Sequence, residues 1–501
     1  FKTPDPVVEA GIQAMRDGNM GYTAANGIPE LRQAIARFYH QTQSVTVDPN
    51  RIFITTGASG ALQLAMLACL DNDDALLLTE PGYPCNRHIA EALGLATQVV
   101  DLDAKGAYLL PGMIDDQVHF REPGLVHKGC IATESRAAVA GGITSYMEMP
   151  NVKPSTTTAQ ALDDKKNIAK QNSIANYAFY LGATEDNIED IKRLDPTQVC
   201  GIKVFMGAST GDLLVEKPGA LEAIFRESPV LIATHCEHGT VISKNLKRYT
   251  DAGSIPTIAD HPRIRDTEAC YASSTIAVDL ARKHGSQLHV LHISTAKEIA
   301  LFTEGPISNK SITAEACVHH LWFSDEDYAR LGHLIKCNPA IKARTDRDAL
   351  FQALHNGQID IIATDHAPHT LQEKHQQYAQ APAGLPLVQH ALLSLLDHVH
   401  AERLDIKQVV EKTAHNPAIR YQIKDRGFLR EGYFADLVMV DPATQTQATD
   451  ESSLYRCKWT PFDGHQFRSS IVGTWVNGEQ VFDGRNILEG DLPGAALIFD
   501  R

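Results

Sequence analysis

Long apolar runs are missing from this chain: no segment approaches the ~20 consecutive apolar residues that a membrane-spanning helix requires, so a membrane class is not expected. Paired cysteines are missing too. The nine cysteines are odd in number, scattered and free of any Cys-x-x-Cys pair, which argues against a disulfide framework and against a cysteine-ligated zinc. Cys236, beside a candidate ligand, is read as packing. Basic residues are in deficit, 46 Lys and Arg against 61 Asp and Glu, and the net charge of −15 leaves no clustered cationic surface for nucleic acid. The first residues carry no signal-peptide pattern, which with the reduced thiols points to a cytoplasmic setting. Phe1 in place of a methionine points to residues lost upstream.

What is present is a 501-residue chain, 43% apolar and 21% charged, ordinary values for a globular protein and enough length for two or more domains. Residues 1–97 read as α/β: a helix over 29–40, a strand over 51–55, a glycine turn at 57–60, a helix over 61–70 and a strand over 75–79. Four runs there, Gly21-Tyr22, Gly27-Ile28-Pro29-Glu30-Leu31-Arg32, Thr56-Gly57-Ala58-Ser59-Gly60-Ala61-Leu62 and Glu80-Pro81-Gly82-Tyr83-Pro84, resemble part of a fold-type I, pyridoxal-phosphate-dependent aminotransferase. In that family the turn at 57–59 sets backbone N–H groups against the cofactor phosphate. The Schiff-base lysine and the pyridine-binding Asp such enzymes need lie further on, where this chain reads as something else, so no cofactor binding is expected of the segment.

From about 105 a second pattern begins. Apolar, β-branched segments recur near 113–119, 143–149, 177–181, 201–206, 230–235, 288–292, 311–316 and 359–364, with amphipathic helical stretches between most of them. This alternation predicts an α/β fold of the (β/α)8 TIM-barrel type, and the near-continuous apolarity suits parallel strands buried on both faces. Residues 427–441, 470–476 and 479–482 read as strands of a small C-terminal β domain, with turns at Asn477-Gly478 and Asp483-Gly484. The expected organisation is an incomplete α/β segment at 1–97, a barrel at 98–425, and the β domain with its tail at 426–501.

The polar residues of the barrel are placed where chemistry occurs in such folds. His119, Asn151, His235, His292 and Asp365 each fall at or just after the C-terminal end of a predicted strand, and three imidazoles with a carboxylate at equivalent ends suggest a metal site. Lys203 lies inside the apolar run Gly201-Ile202-Lys203-Val204-Phe205-Met206, where burial lowers an amine's pKa. A neutral amine can take up carbon dioxide and become an anionic carbamate able to bridge two metal ions; the alternative is a lysine paired with a carboxylate. Arg121, two residues past His119, is a fork-shaped cation suited to a substrate carboxylate, although strand-end cations are commonly just solvated. Loops at 207–211 and 381–386 are candidate lids, or plain surface loops.

The run Leu110-Pro111-Gly112-Met113-Ile114-Asp115-Asp116-Gln117-Val118-His119-Phe120-Arg121-Glu122-Pro123-Gly124 resembles the opening motif of dihydroorotases in the amidohydrolase superfamily. Further matches are Met149-Pro150-Asn151, Thr234-His235-Cys236-Glu237, Val290-Leu291-His292-Ile293-Ser294-Thr295, Ala363-Thr364-Asp365-His366-Ala367-Pro368-His369 and Ala381-Pro382-Ala383-Gly384-Leu385-Pro386, so the resemblance spans about 100–501. It implies one or two zinc ions held by His119, Lys203 as carbamate, His235, His292 and Asp365. Metal-activated water would then attack the ring amide of dihydroorotate, with Asp365 carrying the proton to the leaving nitrogen. Arg121, Asn151 and His369 would hold the substrate carboxylate. The resemblance also implies a small-molecule substrate, a homodimer and a place in pyrimidine biosynthesis, with no nucleic-acid or membrane partner.

Two departures stand out. Gln117 occupies the first position of the family's usual His-x-His and is a poor zinc donor, and the aminotransferase-like segment stands where the small domain's first strands belong. Other readings are a hydantoinase, dihydropyrimidinase or allantoinase, a catalytically silent homologue serving as a structural partner, and a pyridoxal-phosphate enzyme.

Overall fold

The computed structural model describes residues 3–18, 21–43, 45–71, 74–80, 82–101, 106–207, 213–488, 490 and 492–501. The chain forms two compact units, Phe1–Lys105 and Gly106–Arg501, so the change of unit falls at 105/106 rather than at 97/98. The reason is a strand, Ala96–Asp101, that runs parallel to Ala75–Glu80 and belongs to the first unit.

In the first unit, helices Asp5–Arg16, Pro29–Gln43, Ala58–Cys69 and Pro84–Ala92 accompany that two-stranded sheet. The predicted strand at 51–55 is absent: Pro49–Arg51 forms a 3-10 turn, and the extended residues after it pair with no strand. A strand needs a neighbour, and among the described residues the one backbone bond to a distant segment runs from Ile54 N to Asn26 O at 3.2 Å. The helix after the glycine turn starts earlier than expected because Gly57, at φ +91°, adopts a conformation open to glycine and caps it. Apolar burial is thin. Among the described residues of this unit the buried apolar side chains are Met66, Ala90 and Leu95, while Phe38, Phe53, Leu67 and Tyr83 are each more than half exposed.

In the second unit, eight parallel strand positions close a barrel: Met113–Val118, Ile143–Glu148, Asn176–Phe179 continued by Leu181–Gly182, Ile202–Met206, Ile232–Cys236, Leu288–Val290, Ile312–Cys317 and Ile361–Ala363. Closure is made by the bond from His119 N to His366 O at 2.7 Å, which joins the ends of the first and eighth strands. Every residue of the first, second, fourth and fifth strands is buried, as expected of strands covered on both faces. Tyr108–Pro111, Leu437–Asp441, Ser470–Val476 and Glu479–Phe482 form a four-stranded antiparallel sheet beside it. The hairpin at Asn477-Gly478 has both residues at positive φ, +52° and +88°, as a tight primed turn demands. The strand expected over 427–441 is shorter, because positive φ at Gly427 and Gly432 keeps 427–436 irregular. The C-terminal tail returns to the barrel, with Ala496 bridging to Tyr177.

Candidate active site

All eight residues singled out in the sequence, His119, Arg121, Asn151, Lys203, His235, His292, Asp365 and His369, line one cavity of about 230 Å³ at the C-terminal mouth of the barrel. Three of them, Arg121 (φ +70°), His292 (+42°) and Asp365 (+50°), hold a left-handed backbone that is costly for non-glycine residues. Each turns sharply off its strand, which aims its side chain back over the mouth.

The imidazoles and the carboxylate fall into two pairs. His119 Nε2 lies 3.0 Å from Asp365 Oδ1, and His235 Nδ1 lies 3.0 Å from His292 Nε2. Burial pulls His119 and His292 below the ordinary histidine range, so both are neutral at pH 7. Burial pushes the Asp365 carboxyl up, but the contact with His119, with Lys203 beyond, outweighs it and holds the group below the usual carboxylate range. His119 Nδ1 lies 2.7 Å from Asn151 Oδ1. A neutral ring cannot donate from both nitrogens to two oxygens, so this arrangement suits a ring whose Nε2 lone pair is given to a cation while Nδ1–H donates to Asn151. His235 Nε2 is buried and, although 3.2 Å from Glu237 Oε2, has no hydrogen-bond geometry to any described atom. Glu237 is already engaged by Arg265. Burial raises its carboxyl, and Arg265 more than offsets this, holding it at about 2.

Lys203 is buried, with its ammonium 4.9 Å from the Phe205 ring. Burial lowers its pKa to about 8, against the partial support of Asp365 and Glu315. Among the described residues no carboxylate forms an ion pair with it. These neutral imidazoles, the orphaned His235 nitrogen and a readily deprotonated amine are the chemistry of a divalent-cation site.

Arg121 is also buried, its pKa drawn down to about 10 by desolvation, and its Nε donates to Pro368 O at 3.2 Å. Lys128 Nζ donates to His369 Nδ1 at 3.0 Å, which leaves Nε2–H to donate to Ala383 O at 3.0 Å. In that tautomer the approach of Arg121 Nη2 to His369 Nε2, at 3.1 Å, is not a hydrogen bond, and the guanidinium keeps donors for a ligand.

Sequence reasoning missed Arg265 and Asn338, which line the same cavity; Asn338 Oδ1 is buried without a partner among the described residues. Cys236 packs as expected, its thiol donating to Thr234 Oγ1 at 3.3 Å. The loop expected as a lid at 381–386 is a pinned wall instead. Lys374 Nζ donates to Pro382 O and Gly384 O at 3.1 and 2.8 Å, and Lys336 Nζ to Ala381 O at 2.6 Å. Of the other lid candidate, 207–211, residues 208–211 lie outside the described residues. Deeper in the barrel, His289 lies between Asp116 (3.2 Å) and Glu315 (3.6 Å), and Glu315 Oε1 accepts from His292 N at 3.0 Å. Burial opposes protonation of His289, but the two acids outweigh it and push its pKa up.

A closed parallel barrel with histidines, a lysine and an aspartate converging on its C-terminal mouth defines a metal-assisted hydrolase of the TIM-barrel class. The sequence profile of the amidohydrolase family matches residues 108–481, and the chain belongs to that family. It is 35% identical over 395 residues to a dihydroorotase of Halobacterium salinarum, covering 77% of this chain and 91% of the relative. It is 32% identical to an allantoinase of Solibacter usitatus, covering 76% of this chain and 85% of the relative. Among solved structures it resembles the L-hydantoinase (dihydropyrimidinase) of Arthrobacter aurescens, with a TM-score of 0.75 at 26% identity, covering 81% of this chain and 91% of that one. The second unit is therefore that of a metal-dependent cyclic amide hydrolase. Residues 1–115 match the class I and II aminotransferases, as the motifs there led one to expect.

Proposed function

We propose that the chain is a dihydroorotase, opening the ring amide of dihydroorotate to N-carbamoyl-aspartate and closing it in reverse, in the service of pyrimidine biosynthesis. The observation that carries this reading is the Arg121 guanidinium, buried in the cavity wall with donors left over while Lys128 and Ala383 take up the hydrogen bonds of His369. Burying a cation with donors left unmet is costly, and a ring carboxylate is the acceptor of matching charge and shape. Asn151 and His369 complete the carboxylate's surroundings, and Asn338 Oδ1 offers an acceptor to a ring N–H.

His119, His235, His292, Asp365 and Lys203 are the residues to hold one or two zinc ions, Lys203 after its neutral amine adds carbon dioxide, forming an N–C bond and losing a proton. Bound zinc would supply Lewis acidity to water and to the ring carbonyl. Asp365, a buried carboxylate held ionised, takes the proton from the attacking water and returns it to the departing ring nitrogen. Gln117 Nε2 donates to Asp365 Oδ1 at 3.0 Å and fixes that carboxylate's rotamer, a role for the residue that departs from the family motif.

The test is Arg121→Met assayed on dihydroorotate and on dihydrouracil, which lacks the ring carboxylate. Loss of a charged hydrogen bond of about 1.5–3 kcal/mol raises KM for dihydroorotate about ten- to hundredfold with little change in kcat, and leaves dihydrouracil alone. Equal effects on both substrates would contradict the assignment.

A further inference from the structure

A second group of metal-ligating side chains lies outside the set just described. Cys317 ends the seventh strand, and His319 and His320 follow in the first turn of the short helix Val318–Trp322. All three are buried, and one donor atom of each lies within 4.8 Å of the others. The two rings face one another at 4.2 Å between centroids.

What sets the group apart is how little its nitrogens do. His319 is fully buried, and neither ring nitrogen has a hydrogen-bond partner among the described residues. His320 Nδ1 is equally orphaned, while its Nε2 is satisfied by Pro339 O at 3.0 Å. Buried polar atoms are nearly always paired, so three orphaned imidazole nitrogens on adjacent rings beside one thiol need an explanation. Two imidazoles and a thiol are a donor set for a borderline ion such as zinc, and Gln117 Oε1, 3.8 Å from Cys317 Sγ, leaves the fourth position to itself or to water.

We propose that Cys317, His319 and His320 form an additional site for a thiophilic divalent cation, separate from the barrel-mouth ligands and joined to them through Gln117. On binding, the Cys317 S–H bond breaks and a metal–sulfur bond forms. Glu315 Oε1, which already accepts from that thiol at 3.4 Å, is placed to take the proton. Gln117 Nε2 donates to Asp365, so an ion that fixes Gln117 also fixes the orientation of Asp365.

Cobalt(II) is the probe, added to the metal-free full-length protein. Thiolate ligation gives an intense near-ultraviolet sulfur-to-cobalt charge-transfer band, whereas the barrel-mouth set contains no sulfur and gives only weak visible bands. The expected result is that wild type shows the near-ultraviolet band, Cys317→Ser loses it, and Cys236→Ser and Cys337→Ser, which each remove another buried thiol nearby, keep it. His319→Gln, which leaves the thiol in place, is expected to weaken cobalt binding at this site about tenfold or more. Wild type with cobalt bound but no thiolate band, a band that survives Cys317→Ser, or unchanged affinity in His319→Gln would overturn the proposal. Ring-opening activity, and the cobalt that Cys317→Ser still binds, report separately on the barrel-mouth site, so the two readings fail independently.

Discussion

Asp365 and Lys203 make the residue-scale case most clearly, because each is held in a protonation state by its surroundings. Asp365 stays ionised in a buried place through His119 and Lys203, as a proton carrier between water and a ring nitrogen must. Asp365→Asn keeps an oxygen donor and the bond from Gln117, so the variant is expected to retain metal while turnover falls by about a hundred- to ten-thousandfold. Metal content by emission spectroscopy alongside the assay checks this, and a loss of less than tenfold would remove Asp365 from the proton path. At this scale the sequence was informative where a polar residue interrupts an apolar strand or ends it, as at Lys203 and His235. It was silent on Asn338 and Arg265, whose places at the cavity depend on irregular segments folding back over the mouth, and on His319 and His320, which follow the seventh strand in the turn of a short helix.

At the scale of elements, the eight strands were legible because burial on both faces leaves long β-branched runs with few alternatives. The extended stretch at 51–55 reads the same way but finds no neighbour to pair with, a property of the whole unit rather than of those residues. One cross-element contact can be weighed directly. Lys165, on the helix Ala159–Asn172, places its ammonium 2.7 Å from Glu148 Oε2 at the end of the second strand and donates to Met149 O at 3.0 Å, both side chains fully buried. Lys165→Met leaves the carboxylate unpaired and is expected to cost about 3–5 kcal/mol, read as a lower urea midpoint, and the double change Lys165→Met with Glu148→Gln costs less. A single variant as stable as wild type would mean that water reaches this pair.

For the whole molecule, the buried histidines set the response to acid. Burial lowers His261 and His390 to about 3 and His398 to about 4, with nearby arginines adding to the effect for His261 and His398. These groups are neutral in the fold and take up protons on unfolding below about pH 6.5, so stability is present above that value and is lost as pH falls towards 4, at about 1.4 kcal/mol per pH unit per histidine. Urea midpoints of the metal-free protein at pH 7, 6 and 5 test this, and a flat profile would contradict it. Among its described residues the first unit buries few apolar side chains, the described lining of the cavity is drawn from residues 117–384 of the second unit, and Tyr108–Pro111 completes the small sheet from within that unit. Deleting residues 1–105 is therefore expected to leave ring hydrolysis within about twofold of the full chain, and a tenfold loss would show that the catalytic unit depends on that segment. The central claim, a cation-assisted opening of a carboxylate-bearing cyclic amide at the barrel mouth, is tested most directly by the zinc-supplemented full chain offered dihydroorotate, dihydrouracil and allantoin in parallel. Zinc-dependent opening of dihydroorotate, at least about tenfold more efficient than that of the other two, is the predicted result; opening of dihydrouracil or allantoin alone, or of none of the three, would contradict it.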